Sequence, residues 1–207
     1  MHASKSWVLG LLMVSCLLLG LGLGVGSQGW AWSWAPGNDP VSQQIFWDIR
    51  MPRNLGAWLG GALLGLAGAV SQGLFRNPLA DPYLLGSSSG ASLGVSLFLS
   101  TWGSSLMSLA AWERLGITGA AFTGAMAAVG LTLALSRGMQ QSLRLLLAGV
   151  VVGIVLAALT TWVALLDPRM WQTLQAFLLG SAAMLDQTAC AFLAGVLLVC
   201  LLISIAW

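Results

Sequence analysis

An all-α polytopic transmembrane bundle is the fold class this sequence predicts, and three observations predict it. Hydrophobic residues make up 58% of the chain and charged residues 7%, against roughly 25% charged in an ordinary soluble domain. Apolar runs of about 20 residues recur, the length a helix needs to cross the hydrocarbon core. The segments of about ten alternating residues that build a transmembrane barrel are absent. The reading is about six spans, with a short re-entrant or half-helical piece before the last.

Composition also excludes functions. A net charge of +2 is too small for nucleic acid binding. Cys16, Cys190 and Cys200 lie inside apolar runs without ligand-like spacing and read as small buried hydrophobes. His2 is the only histidine and Lys5 the only lysine, so a histidine metal site, a Ser/His/Asp triad and a GxxxxGK[ST] phosphate loop are all ruled out. No resident metal or cofactor is expected.

The first apolar stretch follows Lys5 and runs from Trp7 to about Gly26. Met13-Val14-Ser15-Cys16 faintly matches a lipoprotein cleavage box, but the run continues past Cys16, too far for a signal segment, so a retained span is read. From Ser27 to Pro40, Trp30, Trp32 and Trp34 suit a loop lying along the membrane interface. Asp48, Arg50 and Arg53 precede the second span, Asn54 to Phe75. Asn77-Pro78-Leu79-Ala80-Asp81-Pro82 then stops the helix near Arg76, because proline lacks an N–H and biases the residue before it away from helix. Asn77 and Asp81 can bond nearby backbone N–H groups while Pro78 and Pro82 fix the geometry, so this stretch reads as a rigid architectural turn.

The third span runs from Leu84 to Trp102 and the fourth from Gly116 to Ser136. A polar link, Arg137 to Ser142, leads to the fifth, Arg144 to Leu166, which Asp167-Pro168-Arg169 breaks. Met170 to Gly180 is apolar yet too short to span, hence the half-helix. The sixth span runs from Met184 to Trp207. Glycines at four-residue spacing (Gly56 and Gly60, Gly61 and Gly65, Gly86 with Gly90 and Gly94, Gly149 and Gly153) predict faces where a neighbouring backbone approaches closely.

With the N-terminus inside, Lys5, Arg76, Arg137 and Arg144 are cytoplasmic while Arg50, Arg53, Arg114 and Arg169 are outside. The basic residues tie, and Lys5 before the dominant first span favours a cytoplasmic N-terminus. Ionisable residues sit at span ends, with Asp186 nearest to an exception. That disfavours a proton-coupled pump, so energy must come from another subunit.

Arg50-Met51-Pro52-Arg53, Gly68-Ala69-Val70-Ser71-Gln72-Gly73, Asn77 to Pro82, and Leu85-Gly86 with Gly90-Ala91 follow one another between Arg50 and Gly94, and Arg144 to Val150 and Gly180-Ser181 come later. In these motifs and their order the sequence resembles the permease family of bacterial ABC importers for iron–siderophores, haem and cobalamin. The resemblance covers nearly the whole chain and implies that residues 1–207 are the N-terminal part of a permease domain. It further implies a paired permease subunit (homo- or heterodimer), two cytoplasmic ATPases that use the ATP, and an extracytoplasmic binding protein delivering an iron chelate such as a siderophore or haem. This chain would then be a transport subunit of the bacterial inner membrane and no enzyme itself.

The resemblance assigns Arg50 and Arg53 to docking the binding protein, and paired charges suit that task; snorkelling to headgroups is the alternative. It places Gln141, Ser142 and Leu143 at a cytoplasmic gate, with Leu143 departing from the small polar residue expected there; a plain solvated loop is the alternative. Gly149, Gly153, Thr160 and Thr161 are candidates for the translocation path, with core packing as the equal rival. Phe177 departs mildly from the tryptophan common before Gly-Ser. The family's ATPase-docking loop and remaining spans would follow the sixth span, so a fragment or truncated frame is expected. Rival readings are a cobalamin permease, a secondary transporter coupled through Asp186, and a non-functional truncated membrane fragment.

Overall fold

The computed structural model describes residues 2–26, 29–30, 40–102, 111–136, 142–182 and 185–206. Side chains at 2–5, 25–26, 29–30, 102, 111–115, 142–143 and 168–170 are outside the description. Trp32, Trp34 and Arg137 lie outside the described residues, as do the side chains of Lys5, Trp30, Arg114 and Arg169.

Helices dominate because a bilayer offers no hydrogen-bond partner to an unpaired backbone. They are α1 (His2–Gly24), α2 (Pro40–Gln44), α3 (Met51–Phe75), α4 (Ser87–Trp102), α5 (Ala111–Leu135), α6 (Ser142–Leu166), α7 (Pro168–Leu179) and α8 (Gln187–Ala206). A π-helical segment, Ile45–Arg50, joins α2 to α3, and a 3₁₀ turn, Pro82–Leu85, precedes α4. The one described strand pairing is a two-residue antiparallel hairpin, Val25–Gly26 with Gly29–Trp30.

Among the described residues, five helical stretches are long and apolar enough to cross a membrane: Ser6–Gly24, Pro40–Phe75, Gly116–Leu135, Arg144–Leu166 and Gln187–Ala206. The third expected span differs. Pro82–Leu85 winds as 3₁₀ and Gly86 takes φ +78°, so α4 starts at Ser87 and has 16 residues. At 1.5 Å per residue the described stretch rises about 24 Å, against the roughly 30 Å of the hydrocarbon core. The expected half-helix is α7, 12 residues beginning at Pro168 directly after Asp167 ends α6.

The chain divides into two compact units, Met1–Leu66 with Ala182–Trp207, and Ala67–Ser181. In the first, α3 is tied to α1 by Trp58 Nε1 donating to Ser15 Oγ at 3.3 Å, and by Asn54 Nδ2 donating to the Gly22 carbonyl at 3.2 Å. In the second, Val95 and Leu99 of α4 and Ile117 of α5 form a core joined by Val163 of α6 and Phe177 of α7.

Glycine decides how close α4 and α5 come. A Cβ at Gly90 or Gly94 would collide with the Gly124 or Ala120 carbonyl, and one at Gly124 with the Gly90 carbonyl. These backbones touch, as the spacing predicts for Gly90 and Gly94. Gly60, Gly61 and Gly65 depart from that expectation: among the described residues nothing lies within 4 Å of a Cβ built there. No neighbouring backbone among the described residues comes within that distance of these three positions, although their spacing matches that of Gly90 and Gly94.

Candidate functional site

The basic doublet lies in the first unit, where the π-helical segment passes into α3. Pro52, inside this helix, supplies no N–H, and a π segment is one way a helix absorbs such a gap. Arg50 is half-buried and Arg53 exposed. The two are three residues apart, which puts them on one helix face. Among the described residues no carboxylate pairs with either, although Asp48 is close in sequence. Both guanidinium groups are therefore available to an acidic partner or to lipid headgroups.

The Asn77–Pro82 turn lies in the second unit and is held by its own polar groups. Phe75 ends α3, and Arg76 follows in the left-handed region with φ +49°. The Arg76 N–H donates to the Gly73 carbonyl at 3.3 Å and the Asn77 N–H to the Gln72 carbonyl at 3.2 Å. This is the paired bonding of a Schellman end, with arginine where glycine is usual. Asn77 Oδ1 accepts from the Leu79 N–H at 3.0 Å, and Asp81 Oδ1 from the Tyr83 N–H at 2.7 Å. Leu79 stands 88% exposed at the tip, with Arg76, Asn77, Pro78 and Asp81 also exposed.

Beyond the tip, the turn is fastened to its neighbours. Thr132 of α5, fully buried, donates its hydroxyl to the Leu85 carbonyl at 3.0 Å. On α6, Gly149 lies directly against the Leu84 carbonyl, where a Cβ would overlap it. A Cβ at Gly153 would sit 3.7 Å from both Gly86 Cα and Ser89 Oγ, an ordinary contact.

The four path candidates on α6 do not share one face. Gly149, Val152, Thr160 and Ala164 are buried and follow the helical repeat, so they form the stripe packed inside the unit. Thr160 Oγ1 donates to the Leu156 carbonyl at 2.8 Å, whereas exposed Thr161 turns away and donates to the Ala157 carbonyl at 3.0 Å. At the gate positions, Gln141 lies outside the described residues. Ser142 and Leu143 open α6, with their side chains outside the description.

Residues 11–207 match the FecCD transport family. The chain belongs to that family. Among FecCD-type relatives, it is 43% identical over 140 residues to the ferric enterobactin transport system permease protein FepD of Escherichia coli K12, covering 66% of this chain and 40% of that protein. It is 44% identical over 131 residues to the vitamin B12 import system permease protein BtuC of Salmonella paratyphi A, covering 62% of this chain and 38% of that one. A solved metal-chelate type ABC transporter in an inward-facing conformation superimposes with a TM-score of 0.79 at 26% identity, covering 98% of this chain and 63% of the other. The chain thus spans about 40% of the length of the curated relatives it matches.

Three features of this FecCD chain escape a reading of its sequence. Asp186 is the N-cap of α8: its Oδ1 accepts from the Ala189 N–H at 2.7 Å and from Thr188 Oγ1 at 2.6 Å. An Asp at the head of an apolar run is the available signal. Thr132 anchors the turn from 47 positions away and leaves no local trace. Gln187 and Cys190 reach the Trp47 and Pro52 carbonyls beside the basic doublet from well over a hundred positions away, with Pro52's missing N–H as the sole hint.

Proposed function

We propose that this chain is the membrane permease part of an ATP-driven ABC importer for metal chelates. The observation that carries the reading is the family match over residues 11–207, which spans the doublet, the turn and α6 together. Within that class the cargo is an iron chelate, a siderophore or haem. Cobalamin is the second reading, favoured by the vitamin B12 relative at 44% identity. The chelate crosses without chemical change, along a path formed with a second permease subunit, and two ATPase subunits on the cytoplasmic side hydrolyse the ATP. This places the protein in the bacterial inner membrane with its N-terminus cytoplasmic.

Each site then has a role. Arg50 and Arg53 receive the binding protein, for which steering by unpaired charge is the physical support. Gln141, Ser142 and Leu143 gate the cytoplasmic end. On the path, Thr161 is exposed and available to a second subunit, while Gly149, Gly153 and Thr160 support it through the packing of α6. The turn Asn77, Pro78, Asp81 and Pro82 is architectural.

Uptake of labelled ferric siderophore, haem and cobalamin, in cells lacking their own permease and supplied with ATPase and binding protein, tests the reading. ATP-dependent accumulation of an iron chelate is expected. Dependence on a proton gradient instead indicates a secondary transporter, and no uptake of any cargo indicates a non-transporting fragment. Replacing both Arg50 and Arg53 with Glu should weaken capture of the binding protein by at least about tenfold at low salt, less at high salt. Unchanged affinity at low salt ends the docking role.

A further inference from the structure

The basic doublet brackets a backbone defect that a distant helix repairs. In the π-helical segment the bonds run five residues back, and the Met51 N–H donates to the Phe46 carbonyl. The next bond in that register would run from residue 52 to the Trp47 carbonyl, and Pro52 has no N–H to give. An orphaned carbonyl costs stability where neither water nor another donor reaches it, and at half-exposed Trp47 a side-chain donor replaces mobile water with a fixed partner. Gln187, the first residue of α8, is that donor: its Nε2 bonds the Trp47 carbonyl at 3.2 Å.

Two further carbonyls, one at the end of the segment and one in the first turn of α3, also accept from side chains. Asn54 Nδ2 donates to the Arg50 carbonyl at 2.9 Å, and buried Cys190 Sγ to the Pro52 carbonyl at 3.1 Å. Pro52 is itself fully buried, and one turn on a Cβ at Gly56 would press within 2.5 Å of Leu185 Cδ1. The head of α8 is fixed in turn by the Asp186 cap. All these residues belong to the same compact unit.

Register matters here because each residue gained or lost rotates the remainder of the helix by about 100°. We propose that Gln187 is a positioning residue for Arg50 and Arg53: by bonding the Trp47 carbonyl that Pro52 orphans, it fixes the helical register that aims both guanidinium groups. This inference rests on the docking role proposed above. It ties that surface to α8, so a displacement at the head of α8 changes how the doublet is presented.

A mutant cycle on the full chain in lipid nanodiscs tests it, read by amide exchange over residues 47–56. Gln187→Leu should speed exchange there about five- to tenfold, the effect of one lost hydrogen bond. In a Pro52→Ala background residue 52 regains its N–H, and Gln187→Leu should then change nothing. Thr188→Ser, which alters the same helix end but keeps the hydroxyl bonded to Asp186, should leave exchange over 47–56 at the parent rate. Equal acceleration in both backgrounds, no acceleration in either, or equal acceleration by Thr188→Ser overturns the repair.

Capture of the binding protein separates the two claims. A loss in Gln187→Leu alongside a loss in the Arg50→Glu, Arg53→Glu double variant supports positioning. Capture insensitive to Gln187→Leu yet sensitive to the double variant overturns positioning and leaves docking intact. Capture insensitive to the double variant overturns docking itself, whatever the exchange rates.

Discussion

Two alanine substitutions four residues apart on α6 should act in opposite directions. Each gains helix propensity, about 1 kcal/mol for Gly→Ala in a helix interior. At Gly153 the new methyl meets Gly86 Cα and Ser89 Oγ at 3.7 Å, ordinary contact distance, so the gain stands. At Gly149 it overlaps the Leu84 carbonyl oxygen, and that carbonyl cannot swing aside because Thr132 holds the adjoining Leu85 carbonyl at 3.0 Å. Overpacking against backbone costs up to about 3 kcal/mol, leaving Gly149→Ala about 2 kcal/mol less stable than the parent. At about 2–4 °C per kcal/mol for a chain of this size, thermal unfolding in detergent should fall about 4–8 °C for Gly149→Ala and rise about 2–4 °C for Gly153→Ala. Equal shifts in the two variants would refute the argument that the turn is clamped on Gly149.

Three further outcomes are expected. Thr132→Val leaves the Leu85 carbonyl without its donor and, at this fully buried position, should cost about 2–3 kcal/mol in the same unfolding assay, whereas Thr132→Ser, which keeps the hydroxyl, should cost about 1 kcal/mol; equal losses would contradict the hydrogen bond's importance. Arg76→Gly relieves a left-handed backbone conformation and should stabilise by about 0.5–1 kcal/mol, and a fall in unfolding temperature would contradict the strain assigned to φ +49°. Asp186→Ala should lose about 1 kcal/mol of capping and Asp186→Asn only a few tenths. Transport should persist in the parent when the proton gradient is collapsed and in Asp186→Asn when it is intact, and loss of both would instead assign Asp186 to ion coupling.

The sequence by itself determined the fold class and most helix boundaries, because both follow from local chemistry. Uncharged runs of span length must be helical in a bilayer, and proline must end or distort a helix wherever its missing N–H falls. That is why α3 stops at Phe75, α6 stops before Asp167-Pro168, and a short α7 is expected from the residues alone. The family motifs are legible for the same reason, being runs of neighbouring residues in a fixed order.

Tertiary structure alone decided which look-alike features carry weight. Gly61 and Gly65 share the four-residue spacing of Gly90 and Gly94, yet among the described residues nothing lies within 4 Å of a Cβ on the first pair, while the second lies against another backbone. Thr160 and Thr161 are adjacent in sequence, but a rotation of about 100° buries one and exposes the other. The 3₁₀ turn that shortens α4 gains its support from Thr132 and Gly149, neither of which lies near it in the chain. Likewise the donor for the Trp47 carbonyl comes from 140 positions away. A hydrogen bond between distant groups produces no periodicity in the sequence, so only the folded chain shows which partner each orphaned carbonyl has found.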